Sequence, residues 1–380
     1  MILLLLTIAL ASADPLREAL QSSDKLLQLF SQFQRDNNRG YTSQKGKIRV
    51  LIFRKNVRDI VETNEQDLGW KAGINFFSDL TEEEGAQYLG LNMSLPQTPG
   101  TPLPLSSAPA AVSLDWREKG AVTPVKSQGR CGSCWTFSVV GSSEGVHQIK
   151  TGNLVKFAEQ ELLDCVYEGK RDGCKGGWMS EGFKYMHTAQ RLAPSNVVKY
   201  RAKDGACRYN RIANGLQRKV SGYYDVPKNE EGHVSALSRG PIAVAFEVTS
   251  KMKQYKSGVL KDTTCKGWPN HAVTMVGYNA ESFAIKNSWG GHWGDGGYVH
   301  MSRHHHNCKL YENSSLLELS NEKPDPNPQP TEPPQPTDPP TDPPVCEDAW
   351  PEVACRRDAT YLCSVPAHKH LHCKKTCKVC

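Results

Sequence analysis

Two cysteines stand three residues apart in GRCGSCWTFS, Gly129 to Ser138, beside a glycine-rich turn and a tryptophan. The pattern admits a redox pair, one corner of a metal site, or a structural staple next to a nucleophile. A cysteine is a nucleophile only as thiolate, a form favoured by a helix amino terminus or a neighbouring imidazolium. Cys134 stands where the turn gives way to a segment that reads as helix, Trp135 to Ile149, so its sulfur faces unpaired backbone donors. Cys131, in the turn, is the better placed of the two to be tied elsewhere. No second CxxC follows at a spacing from the first that suits a metal site, which counts against the metal corner. The run His304-His305-His306 also invites a metal reading, but a solvated histidine loop is the simpler account, and we expect no metal and no cofactor.

A histidine and an amide far along the chain complete the chemistry. If His271–Tyr278 and Ser282–Asn287 form a hairpin about Asn279, residues whose numbers sum to 558 lie opposite one another, and His271 faces Asn287. Opposed side chains on antiparallel strands are about 4.5–5.5 Å apart at Cβ. The amide then orients the imidazole by a hydrogen bond and leaves the other ring nitrogen for a thiol. Trp289, two residues on, lies on the same face and shields that bond from water. Gln128 precedes the turn, and its amide together with the backbone N–H of Cys134 can stabilise the oxyanion of an attacked carbonyl.

The positioning elements fall into blocks. MILLLLTIALASA, residues 1–13, has the apolar run and small-x-small end of a signal peptide and is too short to span a bilayer; no later stretch is long enough either. It directs the chain to the secretory pathway, where disulfides persist. The charge of +6, from 46 basic and 40 acidic residues without a long single-sign run, argues against a nucleic-acid partner. Leu26, Leu27, Leu29, Phe30 and Phe33 suggest one amphipathic helix, and Phe53, Val57, Ile60 and Val61 a longer one. Pro96 to Pro109 reads as an exposed linker. From residue 111 to 319 a helical half (Trp135–Ile149, Glu159–Cys165) precedes a stranded half (Ile242–Val248, His271–Tyr278, Ser282–Asn287), which predicts an α+β domain of two subdomains. Residues 320–345 include KPDPNPQPTEPPQPTDPPTDPPV, an extended stalk whose 23-residue run has a contour on the order of 70 Å. The last block, 346–380, holds six of the 13 cysteines and is too short for an apolar core alone. If those six pair among themselves, the seven between Cys131 and Cys308 leave one over.

These residues together resemble the papain-like cysteine proteases. QGRCGSCWTFS resembles the family's nucleophile block, NHAVTMVGY and IKNSWGGHWGDGGY its histidine and asparagine blocks, and GCKGGW its substrate-binding glycine strand. The resemblance implies Cys134 as nucleophile, His271 as acid/base, Asn287 as orienter and Gln128 in the oxyanion hole. It implies that Gly176 and Gly177 offer backbone groups to an extended substrate, that Trp178 and Met179 lie near the pocket for the second side chain before the cut, and that Asn313 closes that pocket. It further implies the pairs Cys131–Cys174, Cys165–Cys207 and Cys265–Cys308, with Cys134 free. Thr136 stands where a small alanine is usual. Residues 14–110 resemble the family's inhibitory propeptide: Arg49, Phe53, Asn56, Ile60 and Asn64 fit its helical motif, with Lys45 in place of a glutamate, and Gly73, Asn75, Phe77 and Asp79 fit its second motif. The terminal block resembles a ShK-type toxin-like domain, which implies Cys346–Cys380, Cys355–Cys373 and Cys363–Cys377; Ala367 and His368 stand where channel-blocking members carry a Lys-Tyr pair, with Lys369 one place later.

The expected function is therefore a secreted or lysosomal cysteine endopeptidase made as a latent zymogen, with peptides or proteins as substrates and its own propeptide as inhibitor. No insertion resembling the occluding loop of dipeptidyl-removing relatives is evident between Cys165 and Cys207, which favours cutting within chains. The competing expectation is an extracellular binding or channel-modulating protein whose terminal module matters most. Two sequons are present: Asn92-Met-Ser94 is the expected glycan site, whereas a glycan on Asn313 would obstruct the pocket.

Overall fold

The computed structural model describes residues 14–92, 94–95, 97–105, 111–169, 173–209, 212–262, 264–304 and 307–323. The expected signal peptide, nearly all of the proline-rich stalk, the six-cysteine module, His305 and His306 lie outside the described residues.

From Asp14 the described residues form three helices in succession. Asp14 caps α1 (Pro15–Gln21) by accepting from Leu16 N, and Ser22 caps α2 (Ser23–Asp36) by accepting from Lys25 N. Leu26, Phe30 and Phe33 of α2, at i, i+4 and i+7, pack against Phe53 and Val57 of α3 (Ser43–Glu65). Lys45 is exposed and lies 5.7 Å over the Tyr41 ring. After β1 (Trp70–Ala72), α4 (Glu82–Ala86) is closed by a reciprocal Thr81–Glu84 capping box.

The second block is built around α5 (Cys134–Thr151), which is buried along most of its length and packs on the later strands. Small and hydroxylic residues let it approach them closely. A side chain at Gly141 would meet Thr274 Oγ1 at 2.3 Å, while Ser138 and Ser142 donate to the Val273 and Pro241 carbonyls at 2.6 and 2.8 Å. Helices α6 (Glu159–Cys165) and α7 (Met179–Ala189) complete the helical half. Then come β4 (Val220–Asp225), α8 (Glu230–Leu237), β5 (Ile242–Phe246), β6 (Tyr255–Leu260), β7 (His271–Tyr278), β8 (Ser282–Lys286), β9 (Tyr298–Ser302) and β10 (Ser314–Leu319). With β2 (Thr101–Pro102) the sheet runs β1-β6-β9-β8-β7-β5-β10-β4-β2, and β3 (Leu114–Asp115) pairs with β7. Helices before strands is the α+β order that the sequence predicts.

Two expectations need correction. The β7–β8 register does not sum to 558: Thr274 faces Lys286 and Met275 faces Ile285, then a bulge shifts Gly277 to Ala284 and Tyr278 to Phe283. Across its ladder to β5, His271 pairs with Phe246. The stretch from Pro96 to Pro109 is also not wholly an exposed linker, because Thr101–Pro102 pairs in parallel with Tyr224–Asp225 and Leu103 is buried. Proline is tolerated there because an edge strand can leave one donor position unused.

Candidate active site

The Gly129–Gly132 turn delivers Cys134 to the first position of α5, and Ser133 precedes it with non-helical backbone. Cys131 is bonded to Cys174, Gly132 N donates to the Cys174 carbonyl (2.7 Å), and Trp135 Nε1 donates to the Gly173 carbonyl (3.3 Å). The turn is thereby fixed to the glycine segment. Cys165–Cys207 and Cys265–Cys308 are the other two disulfides among the described residues, and Cys134 is a free, buried thiol. Thr136 is accommodated in the buried first turn by donating to the Ser133 carbonyl at 2.9 Å.

Strand β7 passes this helix end so closely that Ala272 N–H points at Cys134 Sγ, 3.4 Å away. The neighbouring His271 is fully buried, with Nε2 2.8 Å from Asn287 Oδ1. That same oxygen accepts from Ser288 N at 2.8 Å, which fixes the amide so that Nε2 carries the hydrogen and donates. Nδ1 has no hydrogen-bond partner and is the nitrogen left for proton exchange with a thiol. The pair meets diagonally. Continuing the observed register past the end of β8 would set Trp289 opposite His271, with Asn287 two residues before it on the same face. The Trp289 and His271 rings lie 4.5 Å apart.

Gln128 is buried, and its Oε1 accepts from Ser288 Oγ (2.7 Å). Its Nε2 therefore faces the turn, donating to the Cys131 carbonyl (2.8 Å) and to the Tyr88 carbonyl (3.1 Å). Trp289 Nε1 approaches that Tyr88 oxygen at 3.4 Å. Ser288 is a residue that sequence reasoning missed; it locks Gln128 and Asn287 at once, and its place between Asn287 and Trp289 was the available signal.

The other missed element is the strap Tyr88–Leu91. Gly90 N and Leu91 N donate to the Asn270 carbonyl (both 3.2 Å), Gly177 N donates to the Gly90 carbonyl (2.9 Å), and Leu91 bridges Gly177 in parallel. A side chain at Gly90 would lie 2.0 Å from the Gly132 carbonyl oxygen. Gly176, at φ +101°, leaves a Cβ only 2.9 Å from the Gly90 carbonyl oxygen. Trp178, Met179, Ser180 and Asn313 line one cavity, with Thr98 and Pro99 on its other side. Asn92 lies just beyond the strap, its Oδ1 accepting from Ser94 N and Oγ.

Burial also sets the charge of the pair. Burial pushes the Cys134 thiol up to about 12, against the opposing Ala272 and Gly90 N–H groups and the helix-start amides. Burial likewise holds His271 down to about 4, with Asn287 opposing. Both groups are therefore neutral near pH 7 in the latent chain. Among the described residues no cluster of histidine, cysteine and carboxylate side chains is arranged to hold a metal ion, and no helix is long and apolar enough to cross a membrane.

The amino-terminal block is anchored on the β6 side. Asn75 Nδ2 donates to the Lys253 carbonyl (2.8 Å), Ser78 Oγ to Gln254 Oε1 (3.0 Å), and Lys253 Nζ to Glu82 (2.6 Å), while Phe77 sets its ring edge-on to Trp289 at 4.8 Å. Within the block, Arg49 forks onto the Glu84 carboxylate and donates to the Asp79 carbonyl (2.7 Å). Asn56 holds the Ser78 and Leu80 carbonyls, Asn64 holds Ala72 through both backbone groups, and Ile60 is fully buried.

A free thiol at a helix start, an amide-held imidazole and a strap from the same chain across both define a thiol peptidase in latent form. The sequence matches the papain family cysteine protease domain over residues 110–317 and the cathepsin propeptide inhibitor domain (I29) over residues 30–84. Ananain of Ananas comosus is 35% identical over 297 residues, covering 74% of this chain and 84% of that protein. A cathepsin L-like proteinase of Fasciola hepatica is 37% identical over 294 residues, covering 73% and 89%. The structure of digestive procathepsin L 3 of Tenebrio molitor larval midgut superposes with a TM-score of 0.70 at 33% identity, over 77% of this chain and 99% of that one. The chain belongs to the papain family of cysteine proteases and carries an I29 inhibitory propeptide. It has the papain-like α+β fold with a helical propeptide, its activity is peptide-bond hydrolysis, and nothing in these likenesses favours a protein whose terminal module is the main functional part.

Proposed function

We propose that the chain is a latent endopeptidase in which Cys134, His271, Asn287 and Gln128 carry out the hydrolysis. Loss of the strap readmits water, the two burial shifts relax, and the proton moves from Cys134 Sγ to His271 Nδ1, with the helix start and the imidazolium favouring the thiolate. Sγ attacks the peptide carbonyl carbon, and the resulting oxyanion is held by Gln128 Nε2 and Cys134 N–H. The C–N bond breaks as Nδ1–H protonates the leaving amine, leaving a thioester. Water, deprotonated by Nδ1, then attacks the thioester, and the carboxylic acid departs as the thiolate is restored. Asn287 keeps the ring in place through Nε2 throughout, under the cover of Trp289. Gly176 and Gly177 receive the substrate backbone, and Trp178, Met179 and Asn313 form the pocket for its second side chain.

The observation that carries this reading is the Tyr88 carbonyl accepting from Gln128 Nε2 at 3.1 Å: a peptide carbonyl of the chain's own strap already uses the amide that this reading assigns to the oxyanion. The same reading divides the chain into signal peptide (1–13), propeptide (14–110), protease (111–319), stalk (320–345) and ShK-type module (346–380), the module binding an extracellular partner or an ion channel. Export through the secretory pathway, to a secreted or lysosomal destination, is supported by the apolar leader and by three disulfides within one protease domain. Asn92 carries the glycan in this reading, while Asn313 stays bare. The test is acid activation followed by a thiol-directed epoxide. Labelling is expected on Cys134 and should vanish together with turnover in Cys134→Ser; peptide cleavage that persists in Cys134→Ser refutes the assignment.

A further inference from the structure

From the wall of the Trp178–Asn313 pocket, the last described stretch of the propeptide runs along the outer side of β4, and its contacts there are those of a bound peptide. Glu181 Oε1 accepts from Thr98 N (2.9 Å) and Thr98 Oγ1 (2.6 Å), and Tyr223 OH donates to the Thr98 carbonyl (2.8 Å). Asp225 Oδ2 accepts from Gly100 N (2.9 Å). Thr101–Pro102 then lies parallel to Tyr224–Asp225, Leu103 N donates to the Asp225 carbonyl (3.0 Å), and the Leu103 side chain is buried. Arg239 closes the far end by donating to the Pro104 carbonyl (2.6 Å) while lying over the Tyr224 ring.

The groove also selects. A Cβ at Gly100 would come within 2.8 Å of the Tyr223 ring and carbonyl oxygen, so a ligand needs glycine there. Proline at positions 99 and 102 holds the strand extended without adding a donor to satisfy. Glu181, Tyr223, Asp225 and Arg239 all belong to the protease part and remain when the propeptide leaves. The outer edge of β4 is then open, flanked by two carboxylates and a guanidinium, which is the arrangement for adding a peptide strand.

We infer that the mature enzyme keeps, along β4, a second peptide-binding groove that begins at the wall of the Trp178–Asn313 pocket and runs away from Cys134, which takes an extended Pro-Gly-x-Pro segment of a protein substrate and holds that substrate at the cleft. The inference rests on the reading of this chain as a protease activated by propeptide loss. It is tested on the activated enzyme with the labelled peptide Thr-Pro-Gly-Thr-Pro-Leu, by fluorescence anisotropy, while turnover of a small dipeptidyl substrate is followed in the same samples. Saturable binding is expected, at least about tenfold weaker for the peptide with alanine in place of glycine and for the enzyme carrying Glu181→Ala, with the KM of the small substrate unchanged. A quenched substrate tethered at either end to the hexapeptide is expected to gain about tenfold in kcat/KM over a scrambled tether, through effective concentration. Absence of binding, equal binding of the alanine peptide, or no gain from either tether would overturn the inference, the last by showing a propeptide anchor only. Binding without turnover of the small substrate would instead count against the protease reading and leave the groove standing.

Discussion

Replacing Glu84 by glutamine leaves the Arg49 guanidinium, in a residue only 8% exposed, without its counter-charge. The Arg49 fork, helped by the Thr81 N–H, holds the Glu84 carboxyl down at about 2 against an ordinary 4.5. Linkage converts that depression into about 3 kcal/mol, trimmed to about 2–3 kcal/mol for the part of the carboxylate that meets water. The sign follows from the direction of the shift. A carboxyl depressed in the folded state contributes fully above its unfolded value and loses that contribution as pH falls from 4.5 through 2. About 0.4 kcal/mol is gone at pH 4.5 and about 1.4 kcal/mol at pH 3.5. Mild acid therefore barely loosens this clamp, and Glu84→Gln should do at neutral pH what acid does only near pH 2. The assay is urea unfolding of the propeptide in a zymogen carrying Cys134→Ala, which prevents self-cleavage, at pH 6.5 and 3.5. The glutamine variant should lose about 2–3 kcal/mol at pH 6.5 and about 1 kcal/mol less than that at pH 3.5. A loss below about 0.5 kcal/mol at pH 6.5, the value of an ordinary surface pair, or the same loss at both pH values, would refute the reasoning.

Asn287→Ala removes the acceptor of His271 Nε2, a hydrogen bond to a group that becomes charged; steady-state kinetics of the activated enzyme should show kcat/KM down by about 10- to 150-fold, with the acid limb of the pH profile displaced. In the zymogen, a thiol held near 12 is about 10⁻⁵ ionised at pH 7; reaction of Cys134 with a disulfide reagent should be slow and rise tenfold per pH unit through the alkaline range, whereas the activated enzyme should react quickly at neutral pH. Cys131→Ser with Cys174→Ser opens a loop whose ends are 43 residues apart, and denaturant unfolding should show a loss of about 4 kcal/mol.

Much of the site was readable because its parts are short-range signals. A glycine turn running into apolar helix periodicity places Cys134 at a helix start, and counting cysteines leaves one thiol over. What the alternation of β7 and β8 could not reveal was the bulge between Met275 and Gly277, which displaces the pairing and turns the expected face-to-face contact of His271 and Asn287 into a diagonal one. The contact survives because a diagonal neighbour on the same face is still within reach of an imidazole and an amide. The strap Tyr88–Leu91 carries no motif at all. Its conformation is dictated by Gly132, Gly177 and Asn270, residues far along the chain, and only the glycine at position 90 hints at a close approach. The Thr/Pro-rich stretch after it misled for a related reason: composition reports what a segment does alone, whereas β4 supplies an edge on which it can be ordered.

Both outermost members of the main strand path, β1 on β6 and β2 on β4, lie before residue 110, in the segment that the proposed activation removes. The protease is thus put together against two temporary side walls and must afterwards keep its shape without them. Its lifetime once trimmed is then governed by the height of the barrier to opening more than by the depth of the well. Heating should be a one-way event for the trimmed form, since a chain that has lost its walls has no template on which to rebuild the same ladder.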